Sequence, residues 1–353
     1  LLPTTHPELG GARIQHPLGV GTADAVGEES IVSRTGGAPT LAFGMSEIMS
    51  AFGGESMKSF YKAQSLGRYN LTGDVSDWVK LPYNEARYGS NELASEADGY
   101  WNYVKDTAQA WYDDQVAQGK SNAEIQDYLA QFDVWDRYDF DGDGDFNEPD
   151  GYIDHFQAIH AGEGEEAGGG AEGEDAIWSH RWYAYQNLAG KAGPSQNKLG
   201  GVPLGDTGLW IGDYTTEPEN GGLGVFVHEF SHDLGLPDLY DTTNKAQNDV
   251  SYWSLMSAGS WLGDGKTDIG SRPGYMGPWE KLQLGWLDAT KVSYGKSKKV
   301  QIGPSDRDSA TLGQAALINL PDKTEPSAGH AETTFRMCLN HLWHTLEPPT
   351  GHV

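Results

Sequence analysis

The clearest hydrophobic pattern in the chain lies between Leu223 and Phe230. Five apolar side chains supply it: Leu223, Val225, Phe226, Val227 and Phe230. Gly235 and Pro237 follow closely, and such a pair ends a helix because glycine accepts a left-handed backbone and proline cannot continue the hydrogen-bond ladder. The pattern therefore predicts a helix that ends just before Gly235.

Other segments carry weaker helix or strand patterns. We predict a helix followed by strands in residues 53 to 82, a helix capped by Ser121, and strands at 151 to 162 and 208 to 216. The last of these strands is expected to lie at a sheet edge, where an extended polypeptide could add by backbone hydrogen bonds.

Two histidines and a glutamate lie inside the first predicted helix. His228 and His232 are four residues apart, which on an α-helix is about 400° of rotation and about 6 Å of rise, so both imidazoles project from one face. They can share one metal ion. Glu229 lies too far around the helix for ligation, but it can act as general base towards a water that the metal activates. The alternative is a histidine pair packed on a half-buried helix.

The turn at Gly235 can bring Asp238 under the metal as a third ligand. Two imidazoles and one carboxylate leave a fourth position open for water, as in catalytic zinc sites, whereas structural sites use four protein ligands and often cysteines. This chain has one cysteine. Asp241 and Glu280 are rival third ligands, and we favour Asp238 because it alone fits the compact turn.

The sequence DFDGDGDFNEPD, residues 139 to 150, has oxygen ligands at alternate positions and a glycine in sixth place, as calcium loops do. The predicted calcium ligands are Asp139, Asp141, Asp143, Asp145 by its backbone carbonyl, and Asp150 in the twelfth place. Asp150 is shorter than the usual glutamate, so Glu148 is an alternative for that place. The competing interpretation is a solvated acidic turn. Residues 162 to 182 indicate a flexible glycine-rich and acidic loop, in which His180 is more consistent with packing than with zinc binding.

Composition agrees with export. The chain has 353 residues and a formal net charge of -27, and it lacks the basic patch that nucleic acid or an anionic membrane surface would require. No apolar run of about 20 residues predicts membrane insertion, and no signal peptide opens the chain. A single cysteine excludes an internal disulfide framework. Packing and bound calcium would have to stabilise the protein outside the cell.

The pattern HExxHxxGxxD, read from His228 to Asp238 and continued by LPDLYD, resembles the immune inhibitor A family of bacterial metallopeptidases, M6. The segments YWSLMSAGSW, residues 252 to 261, and GPWEKLQLGWLD, residues 277 to 288, also resemble that family. The family is related to the metzincins, in which a methionine turn lies beneath the zinc. The resemblance gives that role to Met256.

The resemblance implies an α+β fold: a metzincin-like zincin catalytic domain with a twisted mixed sheet, a backing helix, an active-site helix and a smaller lower subdomain. It implies a secreted, extracellular bacterial zinc endopeptidase that hydrolyses peptide bonds in proteins. One catalytic Zn²⁺ and at least one structural Ca²⁺ are expected, with proteins or peptides as substrates. The sequence leaves the oligomeric state open. It also does not decide whether Tyr252 or Tyr275 stabilises the transition state.

Five segments are expected along the chain. Residues 1–45 are poorly patterned, 46–235 form the upper catalytic subdomain, 236–290 the lower one, 291–322 the start of a β region, and 323–353 an irregular tail. The tail has neither helix nor strand periodicity, so we expect truncation or a shifted reading frame there.

Two other function classes remain open. One is a calcium-stabilised binding or structural protein with a vestigial zinc motif. The other is a zinc hydrolase of a non-peptide bond, because the motif specifies an activated water and not its target.

Overall fold

The structure, a computed structural model, describes residues 29–34, 56–93, 96–242, 250–263, 269–293, 298–307, 312–319 and 335–337. Of residues 1–45 only 29–34 are described, and of the tail only 335–337. What the sequence predicts for the other residues of these two segments therefore stays a prediction. Up to residue 160 the elements are β1 (Glu29–Arg34), α1 (Met57–Gln64), β2 (Asp74–Val75), β3 (Val79–Lys80), α2 (Ala86–Gly89), α3 (Glu96–Ala117), α4 (Asn122–Leu129) and β4 (Phe156–His160). Beyond it they are β5 (His180–Tyr183), β6 (Val202–Pro203), β7 (Trp210–Ile211), β8 (Asp213–Pro218), α5 (Leu223–Asp233), α6 (Pro278–Gln283), β9 (Ala289–Val292), β10 (Ala315–Asn319) and β11 (Phe335–Met337).

The largest sheet has the strand order β2-β1-β4-β8-β5, and β3 also pairs with β1. All of its pairings are parallel except that of β5, which runs antiparallel to β8. Every residue of β4 and β8 is buried, as expected for central strands of a sheet covered on both faces. The predicted α+β class with a mixed sheet is confirmed.

The two faces of this sheet are covered by different helices. Phe156, Ala158 and Tyr214 pack into one hydrophobic core together with Tyr103 and Trp111 of α3. Helix α5 packs against β8. The HExxH motif is therefore carried by a helix that rests on the most buried part of the sheet.

Helix α5 ends as its sequence predicts. Gly235 has a φ of 97°, its amide donates to the His232 carbonyl at 2.9 Å, and the Leu236 amide donates to the Ser231 carbonyl at 3.0 Å. This pair of bonds is the Schellman motif, which closes a helix and reverses the chain. At the other end, a Cβ on Gly224 would lie 1.9 Å from the Ser260 carbonyl oxygen, so no side chain fits there.

Other local predictions are also confirmed. Helix α4 begins with a capping box, in which the hydroxyl of Ser121 accepts from the Glu124 amide and the Glu124 carboxylate accepts from the Ser121 amide. Residues 53 to 82 contain α1 and then the short strands β2 and β3, and residues 151 to 162 contain β4.

Three segments differ from expectation. Segment 208 to 216 does not form an edge, because β8 lies between β4 and β5, and β7 pairs with β6 on one side and bridges Tyr152 on the other. The outer strand on that side is β5, within the segment expected to be a flexible loop. The poorly patterned N-terminal segment supplies β1, whose residues Glu29 to Val32 align with Phe156 to Ile159 of β4. The backbone hydrogen bonds of β5 and β1 come from pairing with neighbouring strands, and the sequence of one short segment does not reveal such pairing.

The chain divides into two compact units. The first comprises Leu1–Tyr61 and Asn70–Tyr275, and the second comprises Lys62–Tyr69 and Met276–Val353. The second unit contains α6 and a sheet of order β11-β10-β9, with Tyr69 stacked on Trp286 at 5.4 Å. Residue 235, our predicted subdomain boundary, lies inside the first unit, so the subdomain division stays a prediction. Among the described residues, no helix is both long and apolar enough to cross a membrane.

His180 is a packed histidine of β5. Its Nδ1 lies 2.6 Å from the Trp178 carbonyl oxygen, and its Nε2 lies 2.8 Å from the hydroxyl of Tyr214. Burial lowers the pKa of His180 to about 4. The unfolded chain binds this proton as the pH falls below about 6.5, whereas the folded chain does not do so until about pH 4. The resulting stability is complete above pH 6.5 and is lost as the pH falls towards 4.

We predict that this pH-dependent loss disappears in His180→Gln, which keeps polar atoms but does not titrate. Urea unfolding of both proteins at pH 7.5 and pH 4.5 measures it, and wild type should lose up to about 3 kcal/mol more than the variant between the two conditions. An equal loss in both proteins would contradict the assignment to His180.

Candidate metal centre

The structure brings His228, His232 and Asp238 together. The two Nε2 atoms lie 3.1 Å apart, and each lies 3.3 Å from the same carboxylate oxygen, Oδ1 of Asp238. The rings are almost perpendicular, with an interplanar angle of 88°. The three ligand atoms therefore converge on one point from three directions.

Backbone carbonyls orient both imidazoles. Nδ1 of His228 lies 2.8 Å from the carbonyl oxygen of Leu255, and Nδ1 of His232 lies 2.7 Å from that of Leu236. A carbonyl can only accept, so each Nδ1 carries a hydrogen and each ring turns its Nε2 towards the cluster, where the neutral form offers a lone pair. Metal-binding histidines have this arrangement.

Among the described residues, Asp238 is the carboxylate that joins this cluster. It follows the Schellman turn, and the amide of Leu239 donates to the carbonyl of Met256 at 2.7 Å, which ties the ligand loop to the methionine segment. Of its rivals, Asp241 is not part of the cluster and Glu280 belongs to the second compact unit.

The electrostatics of the cluster fit a cation. Oδ1 of Asp238 is buried and has no hydrogen-bond donor. Two imidazole lone pairs and a carboxylate oxygen so close together repel one another unless a positive charge, a proton or a divalent ion, lies between them. Burial alone would lower the pKa of His228, but Asp238 and Glu229 raise it to about 9, which shows how strongly this place attracts positive charge. A nitrogen and carboxylate set of three suits zinc with one position open.

Glu229 interacts electrostatically with His228, His232 and Asp238 but is not a member of their cluster. It is 8% exposed, and burial raises the pKa of its carboxyl above the usual range. A more basic carboxylate is a better proton acceptor at neutral pH. Its place beside the ligands suits proton transfer.

Met256 is completely buried in the loop that also supplies the carbonyl of Leu255 to His228. Met256 thus directly follows Leu255, whose carbonyl contacts the predicted ligand His228. Tyr252 and Tyr275, the predicted transition-state residues, are both more than half exposed.

The acidic loop forms two clusters that share Asp141. Asp136, Asp139 and Asp141 make one, and Asp141, Asp143 and Glu148 make the other, with one oxygen per residue within 4.8 Å of the others. Asp136 was not predicted because it precedes the twelve-residue pattern. Its carboxylate accepts hydrogen bonds from the amides of Tyr138 and Phe140 at the start of the loop.

Asp145 and Asp150 are in neither cluster. Asp145 was predicted to contribute only its backbone carbonyl, and this stays a prediction. Asp150 is buried, and its carboxylate accepts from the amide of Tyr152 at 2.9 Å and from Nδ2 of Asn197 at 3.2 Å. Burial raises its pKa to about 8. These contacts hold Asp150 in the interior, and Glu148, the alternative, lies in the loop cluster instead.

Comparison with known proteins places this geometry in a family. Residues 41–287, well over half of the chain, match the family described as immune inhibitor A peptidase M6, catalytic domain. The chain belongs to this peptidase family. The resemblance inferred from the HExxHxxGxxD pattern is therefore confirmed.

Three relatives show how much of such proteins the chain covers. Immune inhibitor A of Bacillus thuringiensis subsp. alesti is 38% identical over 286 residues, which cover 76% of this chain and 39% of that protein. Pre-pro-metalloprotease PrtV of Vibrio cholerae is 40% identical over 231 residues, or 65% of this chain and 23% of that protein. A putative secreted metallopeptidase of Arthroderma benhamiae is 31% identical over 111 residues, or 30% and 15%. The chain thus spans less than half the length of each relative.

One residue beside this cluster was not among those predicted from the sequence. Tyr240 follows the predicted ligand Asp238 by two positions, and its side chain hydrogen bonds to the Asp238 carboxylate. Burial, together with the charges of Asp238 and Glu229, raises the pKa of this tyrosine. The continuation LPDLYD contains the signal, since a tyrosine two residues after a ligand in a tight loop remains near it.

We predict that Asp238→Asn weakens zinc binding by more than about 100-fold, beyond the range found when only an outer contact is lost. Competition with a chromophoric chelator measures the affinity. The matched control is Asp241→Asn, the same change three residues later in the same loop, which should leave the affinity within about threefold. A larger loss in the Asp241 variant would make Asp241 the ligand.

Proposed function

We propose that this chain is the catalytic part of a zinc-dependent endopeptidase that hydrolyses peptide bonds in proteins, with His228, His232 and Asp238 as zinc ligands and Glu229 as general base. The observation that carries the proposal is the convergence of two imidazole Nε2 atoms and one carboxylate oxygen within 3.3 Å, with both Nδ1 atoms held by backbone carbonyls. Membership of a peptidase family supports the choice of a peptide bond.

Zinc bound by these ligands would act as a Lewis acid that polarises the scissile carbonyl and makes water more acidic. The protein must then move protons. Glu229 adjoins the ligand His228 on α5, and its raised pKa lets it accept a proton from the attacking water and return it to the leaving amine. Burial of Glu229 keeps bulk water from competing for that proton.

Structural support for the ligands comes from their surroundings. The Schellman turn after α5 carries the chain from His232 to Asp238, and the segment with Met256 passes close enough to bond both His228 and Leu239 through backbone carbonyls. We assign Met256 to the apolar floor beneath the histidines, as in a metzincin-like domain. This assignment rests on its complete burial and its position in the chain.

The substrates proposed are proteins and peptides, bound in an extended form, and the place of action is outside a bacterial cell. The Arthroderma relative, which is named a secreted metallopeptidase, supports export. The net charge of -27 disfavours nucleic acid as a partner.

The acidic loop is proposed to hold structural calcium. Its two clusters share Asp141 and consist of oxygen ligands, which hard cations prefer. Carboxylates so close together repel one another unless a cation is present. The ligands with a side chain in a cluster are Asp139, Asp141, Asp143, Glu148 and Asp136.

We predict that Glu229→Gln retains zinc but lowers kcat by at least about 100-fold, because the amide cannot accept the proton. Digestion of casein and zinc content by metal analysis are measured on the same preparation. Glu219→Gln makes the same chemical change outside the cluster and should keep full activity. Full activity in the Glu229 variant would remove it as the base.

The wild-type measurement also separates the function classes. Casein digestion that a chelator abolishes and added zinc restores supports the endopeptidase. Calcium without stoichiometric zinc would favour the binding protein, and zinc without peptide hydrolysis would favour a hydrolase of another bond.

We predict that Asp141→Asn, which alters both acidic clusters, removes most of the rise in Tm that calcium gives to wild type. Thermal unfolding with calcium and with a calcium chelator measures this rise. Asp145→Asn is the control, because its side chain is in neither cluster and the variant should keep the rise. An equal rise in wild type and Asp141→Asn would place calcium elsewhere.

A further inference from the structure

Helix α5 ends on a residue that local energetics disfavour. Asp233 is its last residue, next to the ligand His232, and it is only 3% exposed. The carboxyl end of a helix carries partial negative charge, so an aspartate there is repelled, and burial adds a desolvation cost. An isolated aspartate would destabilise this end of the helix.

Arg137 compensates for this charge. Its Nη2 lies 2.9 Å from Oδ1 of Asp233, and its Nη1 lies 3.3 Å from Oδ2 of Asp213 in β8. The same Nη2 donates to the carbonyl of Asp154 at 3.1 Å. The guanidinium thus joins the end of α5 to the central sheet through ion pairs with both aspartates and a hydrogen bond to the Asp154 carbonyl, a set of contacts that its fork of donors can serve together.

Further contacts fix the geometry of this pair. His155, next to β4, binds the other Asp233 oxygen through Nδ1 and lies 5.3 Å from the ring of Phe230 on α5. The guanidinium lies over the ring of Trp135 at 4.8 Å. The carboxylate of Asp233 therefore has one ion-pair partner on each of its two oxygens.

Hydrogen bonds of the residues on either side of Arg137, at the start of the acidic loop, also hold its backbone in place. Its neighbour Asp136 accepts from the amides of Tyr138 and Phe140 at 3.2 and 2.8 Å, and the hydroxyl of Tyr138 donates to Asp213 at 2.7 Å. The backbone on both sides of Arg137 is therefore fixed.

From these contacts we infer that Arg137 is a positioning residue, which acts through Asp233 to hold the last turn of α5 and with it the zinc ligand His232. The inference rests on the proposed zinc site, but it concerns a residue that touches neither metal nor substrate. Displacement of this turn would misplace His232 and the start of the loop to Asp238. The chain supplies a matched residue: Arg181 also pairs with Asp213, whereas Arg137 spans Asp213 and Asp233.

The test compares Arg137→Met, Arg137→Lys and Arg181→Met with wild type, using the full chain. Zinc affinity is measured by chelator competition, and the visible spectrum of the Co²⁺-loaded protein reports the geometry of the ligands. Values of Tm show whether each variant is folded, and kcat and KM are obtained on one peptide.

We expect Arg137→Met to bind zinc 10- to 100-fold more weakly, the usual range when an outer contact of a ligand is lost, with a shifted Co²⁺ spectrum and a reduced kcat at similar KM. Arg137→Lys should recover part of the affinity because its charge remains. Arg181→Met should keep the wild-type spectrum and zinc affinity even if its Tm falls, which a general loss of stability would not do.

Equal losses of zinc affinity in Arg137→Met and Arg181→Met would overturn the inference, as would an unchanged affinity and spectrum in Arg137→Met. If Arg137→Met does not fold, Asp233→Asn replaces it, since the amide keeps the shape and removes the ion pair, and wild-type affinity in that variant is equally decisive against us. A wild-type protein that binds no zinc would overturn the proposed function and this inference together. Zinc-dependent activity in wild type with a normal Arg137→Met refutes only the inference.

Discussion

Two imidazole nitrogens 3.1 Å apart, each 3.3 Å from the same carboxylate oxygen, repel one another unless a positive charge lies between them. This arrangement persists only where the surrounding structure holds each group in place. In this protein the holding groups come from three directions: the backbone of the turn after α5, the loop that contains Met256, and the sheet beneath the helix. The position of α5 on the sheet thus decides whether a metal site exists.

Helix α5 is secured at several points along its length. Near its middle, the hydroxyl of Tyr61 lies 2.7 Å from the carbonyl oxygen of Val227 and 3.0 Å from the hydroxyl of Ser231. At its carboxyl end, the Arg137 and Asp233 pair replaces apolar packing with ion pairing. Buried ion pairs contribute little net stability, but they are directional, and loss of one partner is costly. The ion pair therefore fixes the position of this end of the helix more than it raises the free energy of unfolding.

The sequence was most informative where the chemistry is local. His228, His232, Gly235 and Asp238 lie within eleven residues, and the helix period and the glycine turn suffice to predict that they meet. The cap at Ser121 is local in the same sense. The ligand roles themselves remain a proposal, but the proximity of these side chains was predictable.

Contacts between distant segments were not predictable from single patterns. Arg137 and Asp233 are far apart in the chain, and only the fold brings them together. The twelve-residue calcium pattern did not show that Asp150 would be held by Asn197, or that Asp136 would join the loop, because both depend on how the loop meets the sheet. The interior position of β8 likewise depends on β5, a strand from a segment that composition alone marks as loop.

The partners of the two imidazoles are main-chain oxygens, one from Leu236 and one from Leu255. Every amino acid supplies such an oxygen, so the tautomer of each histidine is insensitive to which side chain occupies either position. Other residues can replace both leucines without disturbing the two imidazole rings, provided that the backbone conformation at these positions is unchanged. Relatives of this protein can therefore differ widely around the site while the same two nitrogens stay exposed for coordination.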